Sequence, residues 1–275
     1  MRPRTILAAL AVATLASCVD PADRKACATV DPATRIRGCT AVIPFDKWDW
    51  HMLAQDYANR SGAYLMQHRE ELALGDASRA VELDPALGEA YLARGAAYER
   101  KGLHDLAIAD LSTALPRLRV QQNLELAYLL RSYARSMKGQ DALAEADFAR
   151  VVAFDPRDDA PYIDRSVFFL KNRRYDRVLA DSAKAIALKP GDAEAYNLHA
   201  WALHLKGEDA AGLPDAEKAV ALAPRDPASL ETRAEIYERL GHRDKALADY
   251  RASNRLAPRM REAREGLQRL QPPAR

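Results

Sequence analysis

An excess of either charge is missing from this chain: 41 lysines and arginines stand against 39 aspartates and glutamates. A near-neutral balance argues against a nucleic acid or other polyelectrolyte partner, because such binding rests on a surplus of one sign. Apolar stretches of bilayer length are missing as well; the run 6–16, which follows Arg2 and Arg4, is too short for a lasting membrane span and is built like a secretory leader. Catalytic signatures are lacking. There is no glycine-rich phosphate loop and no Gly-x-Ser-x-Gly elbow. The six histidines are scattered, and His199 and His204 are five apart, not the four that set two ligands over one another on a helix. No glutamate follows His199 in the zinc-protease manner. These absences predict no catalytic residues, no cofactor, no metal and no small-molecule substrate. Phenylalanine is scarce, with five residues among many alanines and leucines. That composition suits thin layers of helix on helix.

A repeat is present. Residues 227–260 read as two short amphipathic helices joined at Gly241 and closed by Pro258. Sliding this stretch back by 34 residues sets Ala234 on Ala200, Gly241 on Gly207 and Pro258 on Pro224. Six units follow: 54–87, 88–124, 125–158, 159–192, 193–226 and 227–260. Their fourth places hold Tyr57, Tyr91, Tyr128, Tyr162, Tyr196 and Leu230, and their eighth places the small residues Ser61, Gly95, Ser132, Ser166, Ala200 and Ala234. The eleventh place is large except at Arg135, and the twentieth is small except at Val178. Period, small and large places and closing prolines resemble the tetratricopeptide repeat (TPR) family. The resemblance implies an all-α fold, a right-handed superhelix or α-solenoid of about six helix-turn-helix units. Each unit packs only on its neighbours, so the array escapes the size limit of a single core.

The flanks are read in the same terms. Residues 1–17 form the leader, and Leu15, Ala16, Ser17 and Cys18 resemble a bacterial lipobox, which implies lipidation of Cys18 and a membrane anchor. An ordinary leader cut near that point is the alternative. Modifying Cys18 leaves Cys27 and Cys39, a pair expected to form a disulfide in an oxidising compartment; free thiols or a metal site are the rivals. Residues 18–53 hold this linker, a lone second helix of a pair over 33–43 and a joint with Phe45, Trp48 and Trp50. Those rings are expected to cap the first repeat or to meet a partner beside the anchor. From Cys18 to Asp31 the chain reaches at most about 45 Å, which keeps the array near the membrane. Residues 261–275 are expected to hold a capping helix, with Met260, Ala263, Leu267 and Leu270 on one stripe, and a disordered tail. Pro116 predicts an early helix end with a longer turn over 119–122, and Pro214 predicts a helix that starts near Leu213.

One charge pattern recurs in all six units. The seventh place is Arg60, Arg94, Arg131, Arg165, His199 or Arg233, and the twenty-third is Asp76, Asp110, Asp147, Asp181, Asp215 or Asp249. A ladder of ion pairs that fixes register is expected, with an anion site as the alternative. If His199 touches Asp215, its pKa should rise.

The resemblance places the first helix of each unit on a concave face, at places 2, 5, 9, 12 and 13. Leu129, Tyr133, Ile163, Val167, Leu170 and Trp201 then predict an apolar central groove, and Glu231, Glu235 and Glu238 an acidic end. Such a groove suits a peptide or helix with apolar anchors and some positive charge. Packing of these side chains against one another is the alternative. The implied function is a protein-binding scaffold at the envelope of a Gram-negative bacterium, facing the periplasm. A self-associating or wall-binding assembly factor is the alternative from another class.

Overall fold

The computed structural model describes residues 20–46 and 49–270, which form helices joined by turns. Residues 1–19, with Cys18 and the leader, lie outside the described residues, as do Trp48 and the tail 271–275. Two compact units divide between Phe154 and Asp155. The first holds α1 (Pro21–Cys27), α2 (Pro32–Val42), α3 (Trp50–Met66), α4 (Glu70–Leu83), α5 (Gly88–Arg100), α6 (His104–Ala114), α7 (Gln121–Met137) and α8 (Asp141–Phe154). The second holds α9 (Ala160–Lys171), α10 (Tyr175–Leu188), α11 (Ala193–Lys206), α12 (Asp209–Leu222), α13 (Pro227–Arg239), α14 (Arg243–Leu256) and α15 (Arg261–Leu270).

Within each unit every helix packs on the next, and the first helix of one repeat also touches the first helix of its neighbour. Small residues allow this approach. Ser61, Ser132, Ser166, Ala200 and Ala234 at the eighth place are completely buried, as are Ala73, Ala107, Ala144, Val178 and Ala246 at the twentieth. The turns between paired helices put Gly102, Gly139, Gly207 and Gly241 in the left-handed region, and His68 and Arg173 take that conformation in the remaining two repeats. Aspartates start several helices: Asp31, Asp49, Asp192 and Asp226 each accept a backbone N–H of the first turn.

Three expectations need correction. The helix over 33–43 is not alone, because α1 pairs with it. Asp20 caps α1 and Pro21 takes its first position, the same Asp-Pro device that Asp31 and Pro32 use for α2. The Cys27–Cys39 disulfide therefore joins the end of α1 to α2, not an entering strand. A Cβ at Gly38 would stand 2.4 Å from the Cys27 nitrogen, so only glycine lets the two helices lie this close. Second, α12 starts at Asp209 rather than near Leu213 and carries Pro214 inside it. Asp209 is held by His204 at 2.6 Å and by Arg239 at 3.0 Å, which fixes the first turn ahead of the proline. Third, α6 does end before Pro116 and a longer turn does follow, but it runs over 115–120 instead of 119–122, and Gln121 and Gln122 already belong to α7.

The last helix, α15, lays Ala263 and Gly266 on Tyr250, which is fully buried. A Cβ at Gly266 would meet that ring at 2.4 Å.

Candidate functional site: a groove in the first unit

The seventh-place arginines stand inside their own repeats, each gripping the aspartate 16 residues on. Arg60 donates from Nε and Nη2 to Asp76 at 2.7 and 2.9 Å, and Arg94, Arg131, Arg165 and Arg233 do the same to Asp110, Asp147, Asp181 and Asp249. His199 meets Asp215 through Nδ1 at 2.7 Å. Rings at the fourth and eleventh places flank the guanidinium, as Tyr57 and Tyr64 do at 5.4 and 5.9 Å from Arg60. Arg135, the exception at the eleventh place, turns to Asp147 at 2.7 Å instead. The hydrogen bond to aspartate raises the pKa of Arg60, Arg94 and Arg233. These charges are consumed by the scaffold.

A second set of pairs, absent from the sequence reading, links successive repeats. Lys101 meets Glu71, Lys138 meets Asp105 at 2.8 Å, Lys206 meets Asp176 at 2.9 Å and Arg239 meets Asp209 at 3.0 Å. The end of one first helix thus binds the start of the previous second helix. Several of these groups are exposed, so solvent screens their attraction and each such pair adds little to stability.

The concave side of the first unit forms a groove of about 480 Å³. Its floor is apolar: Ala58, Leu65, Leu92, Ala96, Leu126 and Leu130 line it from α3, α5 and α7. Met66 at one side is 59% exposed and Leu126 is 44% exposed. Polar groups stand among them. Gln55 donates to Asn59 at 3.3 Å, and Asn123 donates to Glu89 at 3.4 Å. Two cations, Arg35 from α2 and Arg100 from α5, complete the wall. Arg100 is 3.3 Å from Glu70.

The residues predicted for a central groove are spread differently. Leu129 is half-buried on α7, whose Leu126 and Leu130 line the groove. Tyr133 packs edge-on against Phe148 at 5.5 Å. In the second unit Ile163 is buried, Leu170 is half-buried and Val167 is exposed. Trp201 stacks on His204 at 5.0 Å. The three glutamates serve the fold: Glu231 is buried and accepts from Ser253 at 2.7 Å, Glu235 pairs with His204 at 3.2 Å, and Glu238 accepts from Tyr250 at 2.7 Å and from Arg269 at 3.0 Å. The glutamates expected at an acidic end are thus engaged within the fold: Arg269 of α15 pairs with Glu238, His204 of α11 pairs with Glu235, and Ser253 of α14 donates to Glu231. Burial, with Glu262 and Glu235 nearby, raises the Glu231 pKa. The offsets used for the central repeats would have found the groove in the first two: Gln55, Ala58, Gly62, Leu65 and Met66 are places 2, 5, 9, 12 and 13 of unit 54–87.

Beside the groove a carboxylate pair, Asp56 buried and Asp46 partly exposed, holds α1. Arg24 donates to Asp56 at 2.9 Å and also to Asp46. Burial and a hydrogen bond with Asp46 push the Asp56 pKa up to about 7, against the pull of Arg24. Asp46 is held below its ordinary value, because hydrogen bonds from Asp56 and Arg24 outweigh the opposing effect of its burial.

Residues 228–260 match a family model described as tetratricopeptide repeat. No curated protein matches the sequence significantly. Among solved structures the chain is similar to PilW, described as a widely conserved type IV pilus biogenesis factor, at 16% identity and a TM-score of 0.66, over 78% of this chain and 98% of that one. It is similar to YrrB, described as a TPR protein with an unusual peptide-binding site, at 21% identity and a TM-score of 0.55, over 71% and 97%. It also resembles the APC/C hetero-tetramer Cut9–Hcn1 at 18% identity and a TM-score of 0.63 over 88% of this chain, and spans about half, 49%, of the matched chain. At these identities the likeness is one of fold.

Proposed function

We propose that this chain, a tetratricopeptide-repeat protein in the sequence of its last repeat and in the fold of its described residues, is a scaffold that holds an apolar partner segment in the groove of its first unit. The observation that carries this reading is the groove itself: Leu65, Met66, Leu92, Leu126 and Leu130 gather apolar surface on one concave face, open to solvent. Exposed apolar patches of this kind mark interaction sites, and a trough between parallel helices accepts a helix or an extended chain. YrrB, with the same fold, is described as having a peptide-binding site.

The place of action in this proposal is the cell envelope of a Gram-negative bacterium, facing the periplasm, with Cys18 lipidated. Support comes from the leader-like run 6–16, the cysteine that follows it and the Cys27–Cys39 disulfide, a bond that persists in oxidising compartments. The partner is a protein, and the scaffold itself does no chemistry.

Photo-crosslinkers at Met66, Leu126 and Leu106 test the groove in cells. Leu106 is exposed on α6, a second helix that does not line the groove. A shared adduct at the first two positions and none at Leu106 is expected, and adducts at Leu106 alone would reject the groove. Cys18→Ala should move the chain from the membrane pellet to the soluble fraction. A chain that stays soluble with Cys18 intact would remove the anchor from the proposal.

A further inference from the structure

The cation at the end of the groove comes from outside the repeats. Arg35 lies on α2, in the hairpin that the Cys27–Cys39 disulfide closes. Its Nε donates to the Thr29 carbonyl, which aims the rest of the guanidinium at α3. Nη1 lies 3.8 Å from where a Cβ on Gly62 would stand, so the missing side chain leaves the head group against the groove floor. No carboxylate pairs with Arg35 among the described residues, whereas every seventh-place arginine has its aspartate. Burial alone accounts for the direction in which its pKa moves, which is down. A half-buried charge without a counter-ion is costly, and a ligand carboxylate lowers that cost while making charge-assisted hydrogen bonds.

We infer that the disulfide-closed hairpin reads the partner: Arg35 binds an aspartate or glutamate side chain carried by a segment whose apolar residues fill the groove. This rests on the groove reading above. A side chain, rather than a chain terminus, is the source, because the track does not stop at Arg35. A further hollow of about 200 Å³, lined by Arg24, Cys27, Ala28, His51, Met52 and Asp56, shares Gln55 and Asn59 with the groove and extends it toward α1. A bound segment can run on through it. Glu89 in the groove wall discourages a second carboxylate near α5.

The test is an array of acetylated and amidated ten-residue peptides, with two leucines at varied spacing and one Glu, Gln or Lys, probed with the purified, oxidised full chain. Glu peptides should be retained over their Gln partners by about tenfold, the scale of a charge-assisted hydrogen bond. Arg35→Gln should erase that preference, and Arg35→Lys should restore part of it. Circular dichroism checks that both variants fold, and Ala96→Trp, which fills the groove floor, should abolish retention of all peptides. Retention blocked by Ala96→Trp but indifferent to Glu against Gln, or a preference that survives Arg35→Gln, overturns the assignment to Arg35 and leaves the groove standing. Retention unaffected by Ala96→Trp overturns both. A gain seen only when the same peptides carry a free C-terminal carboxylate overturns the side-chain assignment.

Discussion

At Arg60, Arg94 and Arg165 the guanidinium is satisfied three ways at once, by a bidentate aspartate, by the ring one turn before and by the ring one turn after, whereas Arg131 keeps only the earlier ring and Arg233 only the later one. This accounts for the recurrence of Tyr57, Tyr91, Tyr128 and Tyr162 at the fourth place: each ring lies 5.4 to 5.7 Å from its arginine. Asp147 carries most, since both Arg131 and Arg135 bind it and it is 3% exposed. Asp147→Ala leaves two guanidinium groups without a carboxylate and should cost about 3 kcal/mol in urea unfolding. Asp215→Ala, opposite the more open His199, should cost about 1 kcal/mol or less. Equal losses would show that the rungs are interchangeable. His204 makes stability depend on pH. Burial lowers its pKa, but hydrogen bonds to Glu235 and Asp209 outweigh that and leave it raised. Its contribution is therefore full below the unfolded value of about 6.5 and is lost as pH rises through the higher folded value. The melting-temperature gap between wild type and His204→Gln should be widest near pH 5.5 and narrow toward pH 8.5. A gap that widens with pH would contradict this account.

Among the elements, α1 and α2 are the pair least like a repeat and the most dependent on special residues. Their disulfide closes a loop of 12 residues, and its loss should cost about 2 to 3 kcal/mol. Asp56, with a folded pKa of about 7 against about 3.9 unfolded, favours the folded state in acid. That advantage is present below the unfolded value and disappears as pH rises through about 7. Hydrogen exchange of α1 should thus quicken between pH 5 and 8, once corrected for the intrinsic pH dependence, and Asp56→Asn should flatten the trend. At the other end Gly266→Ala drives a methyl group into the Tyr250 ring. Overpacking of this type costs about 2 kcal/mol, and thermal unfolding of the variant measures it. Of the aromatic joint, Trp50 is 60% exposed and Phe45 39% exposed, so neither ring is covered, while Trp48 lies outside the described residues.

At the scale of the whole molecule, the repeat, the helix pairs, the small and large places and the ladder were readable from the residues alone. These follow from local rules: a glycine that permits the left-handed turn, an aspartate that caps, a residue too large for a close crossing. Each acts within one unit, and a period of 34 makes it visible in a single chain. The second Asp-Pro start at Asp20 was equally legible. The groove was legible as a set of offsets but not as a place, because the same offsets occur in every repeat. Packing between helices far apart in the chain settles which copies stay open. Tyr133 turned to Phe148, Trp201 and Glu235 to His204, and Glu231 and Glu238 to α14 and α15, whereas Leu65, Met66 and Leu126 were left facing water with Arg35 beside them. Distances of 30 or more residues separate Arg35 from most of that lining. A charge without a partner is defined by everything that could have paired with it, and only the folded chain brings those groups within reach.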